Sequence, residues 1–115
     1  MTSKTNTLSP LVSIIIRTKN EERWIEHCLS AIAEQTLKDF EIILVDNNSD
    51  DWSVKIAKKY TKKIVNVTDF FPGKAINEGI RASSGEYIVI VSGHCIPKNN
   101  QWLKKLIDPF LKDKT

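Results

Sequence analysis

The chain has 115 residues, 41% of them hydrophobic and 27% charged, which suits one globular domain. A net charge of +3 is too small to indicate a nucleic-acid-binding surface, and the apolar runs are much shorter than the roughly 20 residues that span a bilayer. Residues 2–9 are polar where a signal peptide is apolar, so we expect a disordered leader over 1–9, a folded domain over 10–115 and a cytoplasmic location.

Short apolar runs alternate with amphipathic segments through the rest of the chain. The runs at 12–16, 40–45, 64–67 and 86–91 predict four strands. Segments after Asn20, at 52–60, at 74–82 and from 99 onward predict four helices. Such alternation favours right-handed crossovers between parallel strands. The predicted fold class is α/β, a Rossmann-like three-layer αβα sandwich with a mainly parallel central sheet.

Local signals add expectations about individual residues. Asn20 is expected to cap the first helix, with Glu21 and Glu22 in its first turn, where the helix dipole favours anions. Asp50 and Asp51 are expected to cap the second helix. Several side chains are expected to pack in the core, namely Trp24, Ile25, Cys28, Leu29, Ile32, Trp52 and Cys95. Both cysteines are expected to be free thiols.

Polar clusters follow three of the four predicted strands, at residues 17–20, 46–48 and 92–94. In an open parallel sheet, ligands bind beyond the carboxyl ends of the strands, which meet at one edge. We therefore predict that Thr18, Asp46 and His94 line a single cleft. The chain has no G-x-x-x-x-G-K-[ST] sequence, and no G-x-G-x-x-G follows the first strand, which argues against ordinary ATPases and dinucleotide-dependent dehydrogenases.

Four blocks of sequence carry a more specific pattern. They are VSIIIRTKNEE at 12–22; QT, DFEIILVD and NS within 35–49; GKAINEGI at 73–80; and SGEYI at 84–88. Together they resemble the nucleotide-sugar-binding half of family-two glycosyltransferases over about residues 12–110. The resemblance implies a GT-A fold, a nucleotide-diphospho-sugar donor and a divalent cation, Mn²⁺ or Mg²⁺.

The resemblance also implies roles for particular residues. Thr18 and Asn20 would lie beside the nucleotide, and Asp46 would accept a hydrogen bond from an N–H group of the base. Lys74, in the first turn of the third predicted helix, would meet the charge of the diphosphate. Ser92 would belong to the same nucleotide-sugar-binding set.

The fourth strand leads into a departure from the family pattern. Where an Asp-x-Asp metal motif is typical, this chain has Ser92-Gly93-His94, a variant that rhamnosyltransferase-like members resemble. His94 would be either the single side-chain metal ligand, with phosphates and water completing the shell, or a direct contact of the diphosphate. A loop histidine with no role in the site is the third interpretation left open. The loss of two carboxylates leaves metal dependence open. Ile76 replaces an arginine that many members carry, which removes one expected phosphate contact.

The acceptor side is expected to lie outside this chain, because family members usually supply the catalytic base from a second half. No catalytic residue is assigned. The predicted function is sugar transfer from a nucleotide-diphospho-sugar to a saccharide or lipid-linked acceptor, in bacterial polysaccharide synthesis and without a nucleic-acid partner. Peripheral association with the inner face of the membrane and a homodimer are left open. The alternatives are a catalytically incomplete nucleotide-sugar-binding module and a nucleotidyltransferase.

Overall fold

The structure is a computed structural model that describes residues 9–68 and 72–112. The predicted leader, apart from Ser9, lies outside these ranges, as do residues 69–71. The described residues form four strands and four helices in the predicted order. They are β1 (Val12–Thr18), α1 (Ile25–Ala33), β2 (Phe40–Asp46), α2 (Ser53–Ala57), β3 (Lys63–Asn66), α3 (Pro72–Ala82), β4 (Tyr87–Ser92) and α4 (Trp102–Lys112).

The strands form one parallel sheet in the order β3-β2-β1-β4. The register pairs Thr18 of β1 with Asp46 of β2, and Arg17 of β1 with Ser92 of β4, so the polar strand ends are level with one another. The chain builds outward from β1 to β3 and then crosses back to β4. The strand order therefore reverses between β1 and β4, where open sheets of this kind bind ligands.

Apolar side chains cover both faces of the sheet, as predicted for an α/β sandwich. Alternate β1 residues, including Ile14 and Ile16, pack on one face with α1, α2 and α4, while Ile15 packs on the other face with Ala75 of α3. Every residue from Val12 to Ile16 is fully buried, and burial of one isoleucine side chain contributes about 1.5–3 kcal/mol to stability. The central strands are therefore a rigid base for the loops that follow them.

Close packing of α3 requires a glycine at position 79. A Cβ atom there would lie 2.7 Å from Ile15 Cγ2 and 3.0 Å from Val45 Cγ2, which is closer than side chains tolerate. Gly79 therefore allows α3 to lie directly on β1 and β2.

The start of α1 differs from the prediction. The helix begins at Ile25, with Trp24 at the N-cap position and no side-chain cap, so Asn20 is not its cap and Glu21 precedes its first turn. Asn20 has a φ of 53°, in the left-handed region that asparagine adopts as a single residue, and its side chain accepts a hydrogen bond from the next loop instead of capping the helix. Asn20, Glu21 and Glu22 are thus loop residues of the strand edge.

Two tryptophans expected in the core lie at the surface. Trp24 is 43% exposed and Trp52 is 57% exposed, while the other members of the predicted α1 stripe are buried. Trp52 immediately precedes the five-residue α2, which is shorter than predicted. The ammonium of Lys55 lies 4.4 Å from the centre of the Trp52 ring, a cation–π contact that an exposed indole can make.

Gln35 connects the end of α1 to the start of α4. Its side chain is 1% exposed; Nε2 donates to the carbonyls of Ala31 and Asn99, and Oε1 accepts from the amide of Leu103. The helix α4 begins at Trp102, three residues later than predicted, and buries Leu103 and Ile107 against the sheet. Within the described residues, no helix has the length and apolar character needed to cross a membrane.

Candidate functional site

The loops after β1 and β2 are tied together by reciprocal hydrogen bonds. The amide of Asn20 donates to Ser49 Oγ at 2.8 Å, and the amide of Asp50 donates back to Asn20 Oδ1 at 2.9 Å. The amide of Glu22 donates to Asp51 Oδ2 at 3.1 Å. Bonds in both directions fix the two loops relative to each other, so the edge of the sheet is preorganised for a ligand.

Asp51 has part of the capping role predicted for it. Its Oδ1 accepts a 2.9 Å hydrogen bond from the amide of Ser53, the first residue of α2. The N-cap position itself is held by Trp52, which makes no side-chain cap hydrogen bond. The backbone amide of Asp50 donates to Asn20, so this position ties the two loops together.

Asp46 is buried at the end of β2, where both of its carboxylate oxygens accept hydrogen bonds. Oδ1 accepts from Thr18 Oγ1 at 2.9 Å and from Ser49 Oγ at 2.6 Å, and Oδ2 accepts from the Ser49 amide at 2.8 Å. Only 2% of the residue is exposed. Each carboxylate oxygen has two acceptor sites, so Oδ2 retains capacity for one further donor.

The loop after β4 carries His94 to the same edge. His94 Nδ1 lies 2.9 Å from Glu21 Oε2, and Ser92 Oγ lies 2.8 Å from Nδ1 and 3.3 Å from Nε2 of the same ring. A Cβ atom on Gly93 would stand 2.7 Å from Thr18 Cγ2, so this loop rests on the loop after β1. The structure thus brings Thr18, Asp46 and His94 to one edge.

Lys74 lies in the first turn of α3, which begins at the carboxyl edge of the sheet. The residue after it, Ala75, packs with Val45 and Val67, which flank the end of β2. Lys74 is exposed. Lys74 therefore lies on the α3 side of the edge, whereas His94 is beyond the junction of β1 and β4.

The two cysteines are free thiols, as expected. Cys28 is fully buried beneath β4, with Sγ 3.9 Å from the carbonyl oxygen of Ser92, and burial raises the pKa of its thiol to about 12. Cys95 is partly exposed, so its assignment to the core was wrong. A thiol with so high a pKa is a packing group at neutral pH, and Cys28 supports the His94 loop from below.

The donor set at this edge fits a divalent cation only in company with another ligand. Among the described residues, no three His, Cys, Asp or Glu side chains are grouped closely enough to hold a metal ion. His94 and Glu21 form a pair, and one ring nitrogen of His94 faces the Glu21 carboxylate. A cation that takes six ligands would therefore need phosphate and water oxygens as well.

Glu21, Ser49 and Ser53 are functional candidates that residue-by-residue prediction missed. Ser49 bridges to Asp46, and Ser53 is fully buried and accepts the amide of Glu21 at 2.7 Å. Glu21 was assigned to a helix turn. A carboxylate that directly follows a polar strand end is a signal that could have identified it.

A parallel α/β sheet whose polar strand ends meet at the point of strand reversal belongs to the class of open α/β folds that bind ligands at that edge. The sequence specifies the family. The chain belongs to Glycosyl transferase family 2, which it matches over residues 13–115. This membership favours neither the nucleotidyltransferase nor the binding-only alternative.

Three known proteins illustrate the relationship. The chain is 40% identical over 89 residues to the uncharacterized glycosyltransferase EpsJ of Bacillus subtilis, covering 73% of this chain and 26% of EpsJ. TarS residues 1–349 of S. aureus, solved with UDP-GlcNAc, match with a TM-score of 0.76 and 28% identity over 85% of this chain and 31% of that one. The mannosyltransferase PcManGT of Pyrobaculum calidifontis, solved with GDP-Man and Mn²⁺, matches with a TM-score of 0.73 and 25% identity over 80% of this chain and 30% of that one. The chain thus spans about a third or less of these relatives.

Proposed function

We propose that this chain binds a nucleotide-diphospho-sugar and serves as the donor-binding part of a glycosyltransferase. The observation that carries the proposal is the meeting of three polar strand ends at the switch point of the sheet, with Thr18 bonded to Asp46 and Gly93 resting on Thr18. Membership of Glycosyl transferase family 2 supports it, as do the UDP-GlcNAc and GDP-Man complexes of structural relatives.

The edge offers a distinct group for each part of the donor. Asp46 Oδ2 accepts an N–H of the base, while Thr18 and Ser49 hold the carboxylate in place. Asn20 fixes the two loops beside the nucleotide. The diphosphate and sugar end of the donor contacts Ser92, His94 and Lys74. These side chains can donate hydrogen bonds to phosphate or ligate a cation that is bound to it.

A divalent cation, Mn²⁺ or Mg²⁺, is proposed to bind jointly with the donor diphosphate. Its chemistry would be to neutralise the phosphate charge as the sugar leaves. His94 is the ligand that this chain supplies, and the Mn²⁺ complex of PcManGT supports the choice of ion. The chain's own residues bind and orient the donor, and no catalytic base is assigned to them.

The proposal extends to the acceptor and to the location of the protein in the cell. We place the enzyme in bacterial polysaccharide synthesis, with a saccharide or lipid-linked acceptor, in the cytoplasm or at the inner face of the membrane. The two free thiols support a reducing compartment. The family resemblance supports the acceptor class.

A thermal-unfolding panel of UDP-, dTDP- and GDP-sugars, with and without Mn²⁺, tests donor binding directly. At a concentration of about 100 times Kd, a bound donor stabilises the fold by about 2.7 kcal/mol, which is an easily measured shift. The function is wrong if no nucleotide sugar raises the unfolding temperature. Donor hydrolysis measured alongside binding distinguishes a transferase site from a binding module.

Asp39→Asn is a matched control for Asp46→Asn, because the first residue immediately precedes β2 and the second ends it. Asp39 is exposed, whereas Asp46 is buried at the proposed site. We expect Asp46→Asn to weaken nucleotide binding about tenfold or more and Asp39→Asn to leave it unchanged. Equal nucleotide affinities of the two variants would show that Asp46 does not bind the nucleotide.

A further inference from the structure

Glu21 is held in place independently of His94. Its amide donates to Ser53 Oγ at 2.7 Å, and its carbonyl accepts the amides of Trp24 and Ile25 at 2.9 and 2.8 Å. The Glu21 side chain is 19% exposed, whereas that of His94 is 63% exposed. The backbone of Glu21 is therefore fixed without His94, and its carboxylate is the less exposed partner of the pair.

The backbone of the His94 loop is also fitted to Glu21. A Cβ atom on Gly93 would stand 2.7 Å from Thr18 Cγ2 and 3.2 Å from Glu21 Cγ, so a larger residue would have to displace these side chains or the loop. The amide of Gly93 donates to the carbonyl of Arg17 at 2.9 Å. The amide of Cys95 donates to the carbonyl of Ser92 at 2.9 Å, and this hydrogen bond closes a turn around His94. The 2.9 Å contact between Glu21 and His94 is thus supported from both sides.

An ionised carboxylate only accepts hydrogen bonds, so the ring nitrogen that faces Glu21 must carry the proton. In a neutral imidazole the other nitrogen, Nε2, then carries a lone pair and no proton, so it can bind a cation and cannot donate to phosphate. Ser92 Oγ lies 3.3 Å from Nε2, at the long end of hydrogen-bond distances, and a cation would have to replace it there. Histidines that ligate metals commonly donate their second nitrogen to a carboxylate in this way, which fixes the tautomer and raises the basicity of the ligand.

We propose that Glu21 is a positioning residue for His94, whose carboxylate accepts the Nδ1 proton and thereby presents the Nε2 lone pair to a divalent cation held by the donor diphosphate. The proposal rests on the proposed function, and it chooses the metal-ligand role over direct phosphate contact by His94. It also returns one carboxylate to a place where Ser92-Gly93-His94 supplies none. Glu21 acts through His94 and touches neither the donor nor the cation.

Long-range ¹H–¹⁵N NMR of the histidine rings tests the proposal, because the ¹⁵N shifts report which nitrogen is protonated. The chain has two histidines, and His27, which is exposed on α1, serves as an internal reference. We expect neutral His94 to show the Nδ1–H tautomer. Glu21→Gln should retain it, since an amide oxygen also accepts, whereas Glu21→Ala should shift it toward the tautomer mixture of His27. Glu34→Ala, at an exposed carboxylate, is the control.

Mn²⁺ added with UDP-sugar gives the second readout, because the ion broadens nearby resonances. We expect it to broaden His94 much more strongly than His27, and we expect Glu21→Ala to require about tenfold or more Mn²⁺ for the same broadening of His94. The inference is overturned if wild-type His94 carries its proton on Nε2, or if UDP-sugar binds and Mn²⁺ leaves His94 sharp. In those two cases the proposal that this chain binds a nucleotide-sugar donor is unaffected. If no nucleotide sugar binds at all, both the proposed function and the proposed cation site are wrong.

Discussion

Thr18 Oγ1 donates a 2.9 Å hydrogen bond to Asp46 Oδ1 across 28 positions of sequence. Both residues end their strands and are paired in the parallel register, which makes the contact a direct consequence of how β1 and β2 align. Both are almost completely buried, at 3% and 2% exposure. A hydroxyl that partners a buried carboxylate serves stability as well as ligand binding, and the two roles can be measured separately.

Replacement of Thr18 by valine keeps the shape of the side chain and removes the donor to Asp46. We expect Thr18→Val to lower the free energy of unfolding by about 1–3 kcal/mol, because a buried carboxylate loses a hydrogen bond. Urea unfolding measures the change. The matched control is Thr68→Val, at an exposed threonine, which should fall within about 0.5 kcal/mol of the wild type. Similar losses for both variants would contradict the stabilising role of the contact.

Gly93 is predicted to be intolerant of even one added methyl group. In Gly93→Ala the new Cβ would meet Thr18 Cγ2 at 2.7 Å and Glu21 Cγ at 3.2 Å, so the loop or its neighbours must shift. We expect a loss of about 1–3 kcal/mol in the free energy of unfolding and weaker nucleotide-sugar binding. Chemical denaturation and thermal shift report the two effects.

Gly73→Ala is the counterpart of Gly93→Ala, since a Cβ at Gly73 meets no atom within 4 Å. Gly73 lies in the first turn of α3, where alanine restricts the unfolded chain and is expected to stabilise the fold by about 0.4–1 kcal/mol. If Gly93→Ala were as stable as Gly73→Ala, the close contact between the loops after β1 and β4 would be refuted.

Glu41, at the amino edge of the sheet, should make stability depend on pH. Burial opposes its ionisation, but hydrogen bonds from Lys63, Ser13 and Ser84 outweigh this effect and hold the pKa of the carboxyl below its ordinary value of 4.5. A lowered folded-state pKa stabilises the protein above the unfolded value, and that contribution disappears as pH falls through the folded value.

Glu41→Gln should therefore be less stable than the wild type at neutral pH, by about 1–3 kcal/mol, because hydrogen bonds to a charged acceptor are lost. The difference should shrink as pH falls below about 4.5, once the wild-type carboxyl also becomes neutral. Urea unfolding at a series of pH values gives both quantities, with Glu34→Gln as an exposed control. A difference that stayed constant from neutral to acid pH would show that ionised Glu41 does not stabilise the fold.

The two thiols should differ strongly in reactivity. Cys28 is buried, and its pKa is raised to about 12 by burial, so little thiolate is present at neutral pH; Cys95 is partly exposed. Brief treatment of the native protein with iodoacetamide, followed by peptide mass spectrometry, should find the label on Cys95. Denaturant should make both thiols react. Rapid native labelling of Cys28 would show that the support beneath the His94 loop opens readily.

The sequence by itself determined the layered α/β fold and the edge at which the candidate site lies. Apolar runs of strand length can be buried only in a sheet covered on both faces, and polar residues directly after such runs must emerge at the strand ends. Thr18, Asp46 and His94 could therefore be assigned to one edge before any coordinates were known. The helical spacing of apolar residues likewise located Ile25, Cys28, Leu29 and Ile32 on the buried stripe of α1.

Only the tertiary structure decided which polar groups meet. Glu21 and His94 are 73 positions apart in the sequence. Local signals placed Glu21 in a helix, because the residues next to it in sequence do not show that the loop at residues 46–53 would hydrogen-bond to this segment. The exposure of Trp24 and Trp52 was missed for a related reason. Helical periodicity marks an apolar face, but burial depends on whether another element packs over that face, and this is a property of the whole assembled chain.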